Sequence, residues 1–135
     1  MIFSIGHGAI KTADELAAIL RKNKVDVLAD IRSKPFSRWQ PMFNKSALAQ
    51  LLGERFVWMG DTLGGLGPPI TERALDQLVG FAEGKTICVM CSEGDPRACH
   101  RHTVIGVRLL ERGILVHHIL KDGTILTSKE IGNGG

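Results

Sequence analysis

Short apolar runs alternate with helix-period segments along the whole chain. Ile2 to Ile5 is an apolar run that stops at Gly6-His7-Gly8. Thr12 and Glu15 form a capping box, in which hydroxyl and carboxylate satisfy orphan amides reciprocally, and Leu16, Ile19 and Leu20 make the apolar stripe of a helix to about Asn23. Val25 to Ile31 is a second strand, continuously apolar except for Asp26 and Asp30. After a polar segment from Arg32 to Phe43, a short helix starting at Asn44 or Ser46 carries Leu48, Leu51 and Leu52 and ends at Gly53.

Phe56 to Met59 is a third strand, the glycine- and proline-rich stretch from Gly60 to Ile70 is read as irregular, and its glycine-rich part from Gly60 to Gly67 as a mobile lid. Thr71 caps a helix with Leu75, Leu78, Val79 and Ala82, closed by Gly84. Thr86 to Met90 is a fourth strand. Asp95 followed by Pro96 signals a helix start, with the helix running to about Arg112 and stopping at Gly113. Leu115 to Leu120 is a fifth strand, turned by Lys121 to Thr124 into Ile125-Leu126, and residues 132–135 read as a frayed tail.

Strands separated by helices imply right-handed crossovers and a mainly parallel sheet covered on both faces. The fold class expected is α/β, a Rossmann-like three-layer sandwich with a five-stranded sheet in a 3-2-1-4-5 order plus a C-terminal hairpin strand. With 135 residues, one domain is expected. The net charge of +3 permits an anionic ligand without requiring one. No apolar run reaches membrane-spanning length, and the N-terminus reads as a strand rather than a leader. Three cysteines fit reduced thiols in a cytoplasmic setting better than a disulfide scaffold. Oligomeric state and cofactor are not legible.

The unusual polar residues fall just past strand ends: His7, then Asp30 with Arg32 and Ser33, then Asp61, then Cys91 with Glu93. In a parallel sheet these ends share one edge, where ligands bind at a switch in strand order. Strands one and four as neighbours would set His7 beside Cys91. The stretch Cys91 to Arg101 is the densest, holding two thiols, Glu93, Asp95, Arg97, His100 and Arg101.

Six segments, Ser4 to Gly8, Asp30 to Ser37, Phe43-Asn44, Leu63 to Leu66, Cys91 to Glu93 and Cys99 to Arg101, occur in an order that resembles domain of unknown function family 488. The resemblance runs over nearly the whole chain and implies an α/β fold of this kind. It implies no particular reaction.

Read from the residues, the leading expectation is an enzyme acting on an anionic, nucleotide- or nucleic-acid-derived substrate. Glu93 and His7 would transfer protons, Cys91 would be a nucleophile or wall residue, Arg32 and Arg101 would hold the anion, and Ser33, Arg97 and Asp30 would complete the substrate-binding set. Cys91 and Arg97 have the Cys-x5-Arg spacing used by thiol enzymes that bind oxyanions, although Glu93 and Asp95 oppose a phosphate there. One alternative is a nucleic-acid-binding or regulatory module without turnover, using the Arg32 to Trp39 loop. Another is a metal site at Cys91, Cys99 and a histidine, although His100 and His102 point about 200° apart on a helix. A Cys91–Cys99 redox pair stands behind these readings.

Overall fold

The computed structural model describes residues 1–132, and the part of the expected tail beyond Gly132 lies outside them. Six strands form one sheet: β1 (Ile2–Gly6), β2 (Val27–Asp30), β3 (Phe56–Trp58), β4 (Ile87–Cys91), β5 (Val116–Ile119) and β6 (Ile125–Thr127). The first five are parallel and β6 pairs antiparallel with β5, which is the α/β architecture the patterning implies. The order is β3-β2-β4-β1-β5-β6, not 3-2-1-4-5. β4 inserts between β1 and β2, pairing Ile87 with both Ile2 and Val27. β1, β2 and β4 are all buried on both faces, so their apolar runs carry no label saying which is central.

The two faces have separate cores. Helices α1 (Ala13–Lys22) and α2 (Lys45–Leu52) cover one face, where Leu16, Leu20 and Leu48 pack on Phe3, Ile5, Leu28 and Met90. Helices α4 (Glu72–Ala82) and α5 (Val107–Glu111) cover the other, where Leu75, Leu78 and Leu109 pack on Ile2, Ala29, Val89 and Val116. Connections leaving β1 and β2 run to the first face and those leaving β3 and β4 run to the second. The ends of β2, β4 and β1 are therefore a switch region that neither helical layer fills.

Local details depart from expectation for identifiable reasons. Thr12 caps α1 through the Glu15 amide, but the Glu15 carboxylate meets the amide of Lys11 rather than that of Thr12. Gly60–Leu63 forms a short helix, α3, inside the stretch expected to be irregular, anchored by buried Leu63. A further helix, α6 (Ser128–Ile131), starts at a complete capping box of Thr127 and Glu130.

The largest departure follows β4. Asp95 does accept from the Arg97 amide, and Pro96–Ala98 forms a single 3-10 turn. Cys99 then becomes extended, at φ −133° and ψ 144°, and the chain restarts as a π-helical segment, Arg101–Gly106, that runs into α5. In one regular helix Cys99 and Arg101 would diverge by about 200°. The break lets both turn back toward Cys91.

Candidate functional site

Two buried polar clusters lie at the C-terminal edge, one on each face of the sheet. The His7 ring packs on Phe43 in the core of the α1/α2 face, whereas Cys91 belongs to the core of the α4/α5 face. His7 is consequently not beside Cys91.

The cluster on the α1/α2 face joins residues that sequence reasoning singled out. Asp30, wholly buried, accepts from Arg32 Nε and Nη2 at 2.8 Å each and from the Arg32 amide at 3.1 Å. Arg32 Nη2 also donates to the Phe43 carbonyl, and Nη1 lies 3.2 Å from His7 Nε2. Because Arg32 is a donor only, His7 Nε2 is the acceptor and His7 Nδ1–H donates to Gln40 Oε1 at 2.8 Å. The Gln40 amide donates to the His7 and Ile10 carbonyls, which fixes its orientation. Burial, opposed by the Gln40 bond, holds the His7 imidazole below its ordinary value and therefore neutral. Every polar atom of this cluster is engaged within the fold. Arg32 and Asp30 form a structural pair that shapes the β2 loop.

The cluster on the α4/α5 face gathers around Arg101. Its side chain is 0% exposed and makes four contacts: Nε to Cys91 Sγ at 3.2 Å, Nη1 to Ser4 Oγ at 2.9 Å, and Nη2 to the Glu93 and Gly94 carbonyls at 3.1 and 2.9 Å. Among the described residues no carboxylate pairs with it. A guanidinium stays charged, and a buried charge is costly unless an anion faces it. The Cys91 sulfur is the group in contact that can become one.

Its surroundings favour ionisation. Cys99 Sγ donates to Cys91 Sγ at 2.7 Å, and the Cys91 thiol also lies 3.4 Å from the Glu93 carbonyl. The Cys99 bond, then the charge and hydrogen bond of Arg101, outweigh burial and bring Cys91 down to about 7. Cys99 moves the opposite way, held protonated by the same bond and by burial. Cys88, on the other face of the sheet, is pushed up to about 12 by burial and stays a thiol.

Behind Arg101 a directed hydrogen-bond chain runs through the core. Arg101 donates to Ser4, and Ser4 Oγ is 2.5 Å from His118 Nδ1. His118 Nε2 is 3.1 Å from His102 Nδ1, and His102 Nε2 is 2.9 Å from the Gly132 carbonyl. A carbonyl only accepts, so His102 carries its proton on Nε2, His118 on its Nε2, and Ser4 donates to His118. Burial, then the nearby Arg101 charge, pushes His118 down to about 3, so it is neutral. Sequence reasoning assigned no role to Ser4 or His118. The available signal was a lone serine inside the apolar run Ile2–Ile5.

Above the thiols opens a cleft of about 330 Å³ between the loops after β2, β3 and β4. Arg32, Ser33 and Lys34 line one wall, Gly65 and Leu66 a second, and Cys91, Glu93, Cys99 and His100 a third. The glycine-rich loop is fastened here, because Ser33 Oγ accepts from the Leu66 amide and His100 Nε2 donates to the Leu63 carbonyl. Gly6 permits the closeness of the floor: a Cβ there would lie 1.7 Å from the Glu93 carbonyl oxygen.

The remaining expected residues are placed elsewhere. The Glu93 carboxylate is exposed on the loop and accepts from the Asp95 amide, so it does not meet His7 or Arg32. Arg97 is exposed and pairs with Asp95 at 3.6 Å. The Cys-x5-Arg spacing therefore does not bring its arginine to the thiol; Arg101 occupies that place. Among the described residues, no three His, Cys, Asp or Glu side chains converge as a metal-ligating group. Phe36 and Trp39, in the loop expected to serve a nucleic-acid-binding module, project into solvent at 73% and 86% exposure. No described helix is long and apolar enough to cross a membrane.

Comparison with known proteins adds one match. No curated protein and no solved structure matches the chain. The family model described as Domain of unknown function DUF488 matches residues 12–69, which hold the Asp30–Arg32 pair, Ser33, Asn44 and the Leu63–Leu66 segment. The match is narrower than the spread of motifs suggested and stops before β4 and both thiols of the cleft. Over residues 12–69 this chain resembles the DUF488 family.

Proposed function

We propose that the chain is a thiol-dependent enzyme in which the Cys91 thiolate attacks an electrophilic centre of a small anionic substrate held in the cleft above it. One observation carries this reading: a wholly buried guanidinium rests on the Cys91 sulfur with no carboxylate partner among the described residues. A thiolate, not a thiol, is the nucleophile, and cationic neighbours activate it. Exposed Lys34 at the cleft wall offers charge to an anionic substrate of the nucleotide- or nucleic-acid-derived kind, whereas the charge of Arg32 is already matched by Asp30. His7, with both ring nitrogens engaged, and Glu93, with its carboxylate in solvent, have no part in proton transfer in this reading.

The test is selective alkylation followed by a substrate panel. Brief treatment with iodoacetamide near neutral pH should label Cys91 ahead of Cys88 and Cys99, as read by peptide mass mapping. Phosphoesters, nucleosides and thiosulfate are then offered to wild type, Cys91→Ser and Glu93→Gln. Turnover lost in Cys91→Ser and kept in Glu93→Gln supports the reading. Equal turnover in all three, or Cys91 alkylated no faster than the other two thiols, overturns it.

A second reading is favoured by the loop before α2. Phe36 and Trp39 stand exposed with Lys34 and Arg38 exposed beside them, a combination that suits base stacking with phosphate contact. Titration with a single-stranded oligonucleotide at two salt concentrations, with Trp39→Phe removing the loop reporter but leaving Trp58, decides it. A flat titration retires this second reading.

A further inference from the structure

The cleft floor holds a second sulfur whose position the nucleophile alone does not explain. Cys99 breaks from the preceding 3-10 turn into an extended conformation and sets its Sγ 2.7 Å from that of Cys91. It also lies 3.7 Å from His100 Nδ1. Since His100 donates through Nε2 to the Leu63 carbonyl, Nδ1 carries the lone pair, and burial helps hold the ring neutral. The third cysteine, Cys88, is separated from the pair by the sheet.

We infer that Cys99 is a resolving thiol, so that Cys91 and Cys99 together form a dithiol–disulfide centre for low-molecular-weight disulfides. The inference rests on Cys91 being the nucleophile. In the first step the Cys91 thiolate attacks one sulfur of a disulfide RS–SR; the S–S bond breaks, a Cys91–SR bond forms, and RS⁻ leaves. In the second, Cys99 gives its proton to His100 Nδ1 and attacks Cys91 Sγ; the mixed disulfide breaks, the Cys91–Cys99 bond forms, and a second RS⁻ leaves. RSSR is reduced by two electrons and the dithiol is oxidised by two, with protons reaching the departing thiolates from His100 and solvent. The reverse exchange with excess RSH restores the dithiol.

The order of attack follows from charge. In the resting pair the Cys91 thiolate balances Arg101, and its presence holds Cys99 protonated. Once Cys91 carries an SR group, Arg101 lacks its anion and the bond that held the Cys99 proton is gone. Ionisation of Cys99, whose sulfur already accepts from the Arg101 amide at 3.5 Å, then restores the balance. The single negative charge that Arg101 requires passes from one sulfur to the other.

Oxidised glutathione tests this on the reduced full chain. After an acid quench, intact mass and peptide mapping are read for wild type, Cys99→Ser and Cys91→Ser. Wild type should become lighter by two hydrogens, with a Cys91–Cys99 link and no retained glutathione. Cys99→Ser should hold one glutathione on Cys91 at least about tenfold above the wild-type occupancy, and Cys91→Ser should form neither product. Stable glutathione on Cys91 of wild type without the link overturns the resolving role and leaves the nucleophile standing. Wild type that forms neither adduct nor link overturns both. If Cys99→Ser does not fold, the wild-type map alone decides between link and adduct.

Discussion

Replacing Cys91 with serine keeps the size of the side chain and removes the one titratable group in contact with the Arg101 guanidinium among the described residues, so its cost should depend on pH. In the folded chain the thiol titrates at about 7, against about 9 for an ordinary thiol. Between these values the folded chain has released a proton that the unfolded chain still holds. The depressed value therefore contributes stability above pH 7, and that contribution is lost as pH falls through 7. At about 1.4 kcal/mol per unit, the full gap would reach about 3 kcal/mol only near pH 9. There the raised Cys99 thiol begins to act in the opposite sense, since the unfolded thiol ionises and the folded one does not. By pH 8 about half the gap has been expressed, which is about 1.4 kcal/mol.

Three histidines complicate a single-chain measurement. His7, His100 and His118 all sit below their ordinary value, so the folded chain also loses stability as the unfolded histidines take up protons on acidification. These contributions are common to wild type and Cys91→Ser and cancel in the difference. Urea unfolding of both chains under reductant at pH 6 and pH 8 gives that difference directly. The gap between wild type and variant should be wider at pH 8 by about 1.4 kcal/mol. A gap equal at the two pH values would show that the charge on Arg101 is not balanced by Cys91, and the nucleophile reading would lose its physical basis.

Asp30→Asn should cost about 3–5 kcal/mol, because it strands the Arg32 guanidinium in a buried cluster; urea unfolding measures it. Gly6→Ala should displace the loop after β4, since the added methyl meets the Glu93 carbonyl, and Cys91 should then lose its preferential alkylation near neutral pH. Leu75→Ala removes a wholly buried side chain under β2 and β4 and should cost about 2–5 kcal/mol while leaving alkylation unchanged. Trp39→Ala, at an exposed position, should shift stability by less than about 0.5 kcal/mol in the same assay.

What the chain discloses by itself follows the range of the interactions concerned. Strand and helix periods are local, and they mark β1 to β5 and the helices before β2, β3 and β4 to within a few residues. The rule that parallel strands deliver their loops to one edge then gathers Asp30, Arg32 and Cys91 there without knowledge of strand order. Order is a different kind of fact: β4 enters between β1 and β2 through pairings with Ile2 and Val27, and three equally apolar strands do not announce it. The helix expected after Pro96 shows a true local signal overridden, because Asp95 caps its turn and the chain still breaks at Cys99 to bring a sulfur to Cys91. Ser4 and His118 meet across 114 residues, which no spacing motif spans. Thr127 with Glu130 is the opposite case, a readable capping box at the start of α6 that the strand pattern overshadowed.

The two buried arginines at this edge differ in what faces them. Arg32 is matched by a carboxylate two residues away, and Arg101 by a sulfur in the strand before it. Arg32 is tied to Asp30 by two side-chain hydrogen bonds and to the Phe43 carbonyl by a third, so the pair braces the β2 loop. A thiol at about 7 is divided between its two states at neutral pH, and its anion can leave the arginine by bonding to an electrophile. In the proposed reaction the second pair exchanges its charge partner, whereas the first keeps its own. Ser4, His118 and His102 hold Arg101 from behind through a hydrogen-bond chain ending on a backbone carbonyl, so the position of the guanidinium does not depend on the sulfur alone. The cleft opens over that sulfur and over Cys99, whose Sγ lies 2.7 Å from it and accepts from the Arg101 backbone amide.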